Sequence, residues 1–411
     1  MMGKRFDSQT KFFYDRIDLE KRIPDDHILR KIRKYIDFDF IYKEVSDKYG
    51  KRGNVSIPPP IILKLMLLLI LYDVSSEREL MRSLPYRLDW LWFLDYDIDD
   101  IIPDHSVLSK ARKRWGLEAF KKFFENILWQ CVERGLIEGD KLFIDSSIVQ
   151  ANASNNSVIK TDLMRDNIAE NFKKLESRLD VTQDENAYKQ DKVKLVNDRY
   201  VSTTDSDARV VRRGGGKAKL SYQVHRGVDP LNEIITATQV TPGNVNEGNY
   251  LKAILKDHNR NTETNPNVII GDSKYGLIEN YLFCYDNNIQ AHMPPYEGKR
   301  ANGKNKKNIY PKEKFKYCSK NDIYICPAGK KLYRNIYYRT EQRVMYRASA
   351  DDCNQCRYRK DCTNSKNGRT LKRHIRQDEI DIMYGKTKSQ QAKQDQRIRQ
   401  HLSERSFAHS T

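Results

Sequence analysis

The chain has 411 residues, of which 38% are hydrophobic and 32% charged, too many for one average domain and too apolar for disorder throughout. Its net charge is +18, and the excess is local: residues 301–411 hold 27 Lys and Arg against 11 Asp and Glu. Such a concentration suits a polyanion, because each cation that neutralises a phosphate releases a condensed counterion; nucleic acid is the leading partner, and a solvated basic tail the alternative.

The first residues, MMGKRFDSQTKFF, lack the apolar segment of a secretory signal, and seven cysteines, an odd number, argue for a reducing compartment. A cytoplasmic location is expected. From about Ile23 to Gly139 the apolar spacing is helical. The longest apolar run, Ile61 to Tyr72, is 12 residues long, contains Lys64 and follows three prolines, so it reads as a buried helix and is too short to cross a membrane. Ser76 and Glu79 form a capping-box pattern that starts a helix. Residues 103–116, PDHSVLSKARKRWG, predict a Pro-bounded turn and a short helix whose Lys110, Arg112, Lys113 and Arg114 offer a DNA-facing surface. Trp90, Trp92, Trp115 and Trp129 are expected to fill the bundle core rather than stack on bases. Residues 1–139 are therefore predicted as a helical N-terminal, DNA-binding domain.

At KLFIDSSIV, residues 141–149, the rhythm becomes that of a strand with Asp145 inside it. The polar stretch 150–216, with a charged helical section and RRGGGK at its end, is expected to be a linker or mobile insertion. KLSYQVHRGVD and EIITATQVT, separated by PLN, predict an antiparallel hairpin. Helix, strand, helix and strand follow, over NVNEGNYLKAILKDH, NVII, GLIENYLFCYDN and IQAHMP. This order, within 140–296, predicts a mixed sheet with helices on its faces.

Asp272 follows the strand NVIIG directly. An aspartate there commonly caps the next helix. Asp145 and Asp272 nonetheless both fall in or at the end of strands of one sheet, where neighbouring strand ends can share a metal site. Phosphoryl transfer on DNA needs the attacking oxygen activated and the leaving oxygen stabilised, and two divalent ions about 3.5–4 Å apart do both. Carboxylates suit Mg²⁺ or Mn²⁺. A third acid, Glu404, sits in the basic helical segment RIRQHLSERSF; taken alone it reads as a surface acid.

LFIDSS, DSDARVVRRGGGKAKLSYQVHRGVD, VTPGNV, GDSKYGLIENY and SERSFA resemble, in order, the transposase DDE-domain family of bacterial insertion sequences. PPPIILKLMLLLILYDVSSERELMRSL and PDHSVLSKARKR resemble the helical domain that precedes it. The resemblance implies an α+β chain: a helical N-terminal domain, then a ribonuclease-H-like mixed-sheet catalytic domain with a basic, cysteine-containing insertion. It implies Asp145, Asp272 and Glu404 as a metal-binding triad, Asp145 bridging two ions. It also implies strand cleavage and strand transfer at element ends, double-stranded DNA as partner, a homo-oligomeric synaptic complex and association with the bacterial nucleoid. Gln400 and Thr411 stand where the family pattern has an Arg four residues before the Glu and a Lys seven after it. The chain ends seven residues past Glu404, where the family continues through a basic helix, so activity is expected to be compromised. The competing reading is a transposase-derived DNA-binding protein that occupies ends without cutting. A general ribonuclease-H-like nuclease is disfavoured by the helical module and the basic insertion.

That insertion, 297–375, precedes a C-terminal helical segment, 376–411. It carries Lys299, Arg300, Lys304, Lys306 and Lys307 among tyrosines, suited to phosphate contact with some stacking. Cys318, Cys326, Cys353, Cys356 and Cys362 lie within it, whereas Cys131 and Cys284 stand apart. The C-x2-C step and a third cysteine close by approach zinc spacing. Cys326, Cys353, Cys356 and Cys362 are the best set for a structural zinc, with Cys318 as the spare; reduced, packed thiols are the alternative.

Overall fold

The computed structural model describes residues 18–50, 52, 54–160, 200–212, 216–296 and 309–408. It divides into two compact units, residues 1–136 and 137–411.

The first unit is helical: α1 (Leu19–Arg22), α2 (Ile28–Tyr35), α3 (Ile41–Val45), α4 (Pro59–Leu71), α5 (Glu77–Ser83), α6 (Leu88–Leu94) and α7 (Ser106–Glu133). The prolines at the head of α4 have no amide hydrogen to lose in a first turn. Buried Ile61, Leu65 and Leu68 then join Leu29, Leu80, Trp90, Phe93 and Trp115 in one core. Lys64 is buried with them because its ammonium donates to the Phe93 carbonyl (2.8 Å) and to Asp95 (3.0 Å). Ser76 caps α5 by accepting the Glu79 amide at 3.2 Å. Gly116, at φ +71°, interrupts α7, so the short basic helix ends there and a second segment resumes. Trp90, Trp92 and Trp115 are core residues, but Trp129 is 43% exposed, its indole bonded to Glu133 one turn on. Its position in the second, less buried half of α7 departs from expectation. No helix is long and apolar enough to cross a membrane among the described residues.

The second unit is built on a mixed sheet. β1 (Lys141–Gln150) lies between β5 (Lys219–Asp229), antiparallel to it, and β7 (Val268–Ile270), parallel to it. β6 (Ile234–Pro242) pairs antiparallel with β5, and β8 (Gln290–His292) parallel with β7. The order β6-β5-β1-β7-β8, with β5 alone reversed, is ribonuclease-H-like. α8 (Leu251–Thr262) and α9 (Ile278–Asp286) cover the face bearing Leu142, Ile144 and Ile269.

The stretch 150–216 is not simply a linker where it is described. β2 (Val158–Lys160) pairs with β3 (Tyr200–Ser202), and β4 (Arg209–Val211) extends the main sheet along β5. Ala151, Ala208 and Leu220 give these strands a small core of their own. The charged helical section expected in its middle lies outside the described residues.

β9 (Lys316–Cys318), β10 (Ile323–Ile325), β11 (Lys331–Tyr338), β12 (Arg343–Ala348) and β13 (Thr370–His374) form a separate antiparallel meander around Tyr324, Leu332, Tyr346 and Leu371. Two short helices, α10 (Ala350–Asn354) and α11 (Arg359–Cys362), connect β12 to β13. The C-terminal segment is two helices, α12 (Gln377–Thr387) and α13 (Gln390–Ala408). α12 meets α9 through an edge-to-face Tyr281–Tyr384 contact at 4.8 Å. Leu402 of α13 packs on Phe143, Val228, Val268 and Ile270, the sheet face opposite α8 and α9.

Candidate active site

β1 and β7 run parallel in the register Phe143 to Ile270. Continued by two residues, that register sets Asp145 beside Asp272. Side chains alternate along a strand, so both fall on the α13 face, on strands about 4.8 Å apart. Gly271 and Asp272 lie past the last β7 pair, where the chain turns towards α9. The Asp272 carboxylate accepts the Lys274 amide at 2.9 Å, the local turn that an aspartate favours. Burial, then the charges of Glu247 and Asp145, push the Asp272 carboxyl above the usual range. Asp145 accepts its neighbour Ser146's amide at 2.8 Å and the Arg399 guanidinium at 2.9 Å.

A third carboxylate enters from another direction. Glu247, 5% exposed, follows β6 and forms an ion pair with Lys274. The chain can pass there because residue 248 is glycine: a Cβ would stand 2.4 Å from the Lys274 carbonyl. Asn280 ties the two loops together, donating at 2.8 Å to the carbonyls of both Gly248 and Tyr275. Tyr275, in the same turn, is fully buried. Burial and the charges of Glu247, Asp145 and Asp272 hold that phenol well above its ordinary range. Sequence reasoning passed over Glu247, Lys274 and Tyr275. For Lys274 and Tyr275 the signal available was the DSKYG turn itself, which places a cation two residues from an acid.

α13 is fixed over the site by buried polar contacts. Asp395, fully buried, accepts Lys141 (2.9 Å) and pairs with His292 (2.7 Å). Burial would raise its carboxyl, but the hydrogen bonds from Lys141 and His292 outweigh this and hold it low. Gln396 donates to the Gly271 carbonyl at 2.8 Å. One turn on, Arg399 reaches Asp145. Glu404 is exposed, five residues beyond Arg399, and the nearby charges that raise Asp272 are those of Glu247 and Asp145. The structure thus brings Asp145 and Asp272 together and presents Glu404 at the surface of the helix that contacts Asp145.

Lys110, Arg112, Lys113 and Arg114 are exposed on the first half of α7. Arg112 pairs with Glu77, and Arg114 lies over the Tyr49 ring. Lys299, Arg300, Lys304, Lys306 and Lys307 lie outside the described residues. Cys326, Cys353, Cys356 and Cys362 converge on one cavity.

Among the described residues no group of three or more His, Cys, Asp or Glu side chains is placed to hold a metal ion. The donor chemistry of the Asp145–Asp272 pair still fits a hard divalent cation. Two carboxylates share one face, one of them raised by burial and then by its neighbours' negative charge, and a cation relieves that repulsion.

A family model described as a transposase DDE domain matches residues 196–401, and one described as a transposase domain (DUF772) matches residues 17–114. The chain belongs to the transposase DDE-domain family. The DDE-domain match includes Asp272 and Arg399 but not Asp145 or Glu404. No curated protein matches this transposase-family chain. Among solved structures it is similar to a piggyBac transposase synaptic complex with hairpin DNA, at 13% identity over 88% of this chain and 63% of that one, with a TM-score of 0.30. It is also similar to a Mos1 transposase paired-end complex with the left transposon end, at 10% identity over 61% and 64%, with a TM-score of 0.18. The chain spans less than two thirds of the length of each.

Proposed function

We propose that this chain is a DNA transposase that cleaves phosphodiester bonds at the ends of a mobile element and transfers the freed ends to target DNA. The observation that carries this reading is the parallel register of β1 and β7, which continued by two residues brings Asp145 level with Asp272, in a chain of the DDE-domain family. Mg²⁺ or Mn²⁺ held by Asp145, Asp272 and Glu404 would supply charge neutralisation at the reacting phosphate and activate the attacking oxygen. The protein's own contribution is positioning. Arg399 and the Ser146 amide aim the Asp145 carboxylate, and the Lys274 amide aims that of Asp272. The Lys274 side chain, 44% exposed and pinned by buried Glu247, can meet a backbone phosphate drawn to the pair. The basic helix at the start of α7 and the positive C-terminal quarter supply further phosphate contacts. Two ends must be joined, so the active species is a homo-oligomer on double-stranded DNA.

Strand cleavage in Mg²⁺, on duplexes carrying the genomic sequence that borders the gene, tests this. Asp145→Asn should lower cleavage at least about a hundredfold and leave DNA binding intact. Glu404→Gln should do the same, whereas Glu247→Gln, which unpins Lys274, should weaken cleavage without abolishing it. Cleavage by Asp145→Asn at the wild-type rate would overturn the reading.

A further inference from the structure

The cysteines of the β9–β13 meander stand outside everything the reaction uses. Four of them come from three segments: Cys326 follows β10, Cys353 lies in α10 with Cys356 in the turn after it, and Cys362 ends α11. All four line one cavity of about 20 Å³, room for a single water-sized or ion-sized species. Cys318, on β9, does not line it. Backbone amides already point at two of the sulfurs: Lys330 donates to Cys326 Sγ at 3.3 Å and Arg369 to Cys353 Sγ at 3.4 Å. Such N–H···S bonds are the outer-shell contacts that orient thiolate ligands. Arg369 also donates to the Cys362 carbonyl at 2.9 Å, and Lys330 pairs with Asp352 at 2.9 Å, so two cations are held beside the four sulfurs. Packing alone does not account for this arrangement. Core cysteines are normally fully buried; these four are half-buried around a water-sized void, of which a close-packed interior leaves few.

We propose that Cys326, Cys353, Cys356 and Cys362 bind one structural Zn²⁺ that staples the turn after β10 to α10 and α11. Binding exchanges four thiol protons for one cation, giving a Zn(Cys)₄ centre of net charge −2 and four released protons. Lys330 and Arg369 offset that charge. The sulfurs line the cavity without forming a ready-made ligand set, so the thiols turn inward to reach zinc–sulfur distances of about 2.3 Å. With four thiolates no coordination position stays open, and the role is to hold the meander together.

Metal analysis of the full chain, purified and kept reduced, decides this. One zinc per chain is expected, and titration with an organomercurial should release it as four thiols react. Substitution by Co²⁺ should give the intense thiolate charge-transfer absorption of a tetrahedral sulfur site. Cys353→Ser and Cys356→Ser should each lower zinc affinity more than tenfold, while Cys318→Ser keeps the metal. The mercurial and Co²⁺ measurements use the wild-type chain, so they stand even where a serine variant misfolds. A folded, reduced chain that takes up neither Zn²⁺ nor Co²⁺, or full zinc retention by Cys353→Ser, would refute the site.

Discussion

Asp272 serves two purposes at once: one carboxylate oxygen shapes the turn out of β7, and its position facing Asp145 makes it half of a carboxylate pair. From sequence the first role alone would have been sufficient explanation. The second was legible only because the strand pattern around Asp145 suggested a neighbouring strand. Glu247 was not legible, because nothing in NVNEGNY marks an acid that folding will bury beside residues 25 to 28 positions away. Two histidines show a further residue-level consequence. His225 and His258 are fully buried, bonded to Thr241 and Thr236 respectively, and burial pulls both imidazoles down to about 4. Each stays neutral in the folded chain but takes up a proton near pH 6.5 once unfolded. Their contribution to stability is therefore complete above pH 6.5 and is lost as pH falls towards 4. For each it amounts to at most about 3 kcal/mol. Urea unfolding at a series of pH values should show this loss, and His258→Gln should flatten it.

At the scale of elements, α13 is the part on which the site depends, since it carries Arg399 to Asp145 and presents Glu404 on its exposed side. Its periodicity marked a helix, but its docking could not be read because, Leu402 aside, the contacts over the site are polar: Asp395, Gln396 and Arg399 bind β1, β8 and the turn after β7 through charge and hydrogen bonds. Breaking a buried ion pair leaves an uncompensated charge. Asp395→Ala should accordingly cost about 3–5 kcal/mol by denaturant unfolding and depress cleavage with it. Asp395→Asn, which keeps the hydrogen-bond geometry, should lose less. The helical unit was read more easily. Apolar spacing, the Ser76 cap and Gly116 as a stop are local signals, and only Trp129 escaped them, because the second half of α7 leaves that face open.

For the molecule as a whole, charge is the dominant sequence feature, with residues 301–411 holding most of the excess. If the first half of α7 touches phosphate, Lys110→Glu and Lys113→Glu should each flatten the plot of log affinity against log salt by about one. Arg112→Glu should change it less, because Arg112 is already engaged by Glu77. An unaltered slope for the two lysine variants would remove that helix from the DNA interface. The amino-acid sequence by itself determined the helical first part, the succession of β1, β5, β6, β7 and β8 in the second, the local excess of positive charge and which cysteines cluster along the chain, because periodicity, capping and composition are properties of neighbours along the chain. Only the tertiary structure decided that Glu247 joins Asp272, that Arg399 engages Asp145 and that cysteines from three segments line a single cavity. Those relations depend on strand register and helix docking, which are set by contacts between residues far apart in the chain.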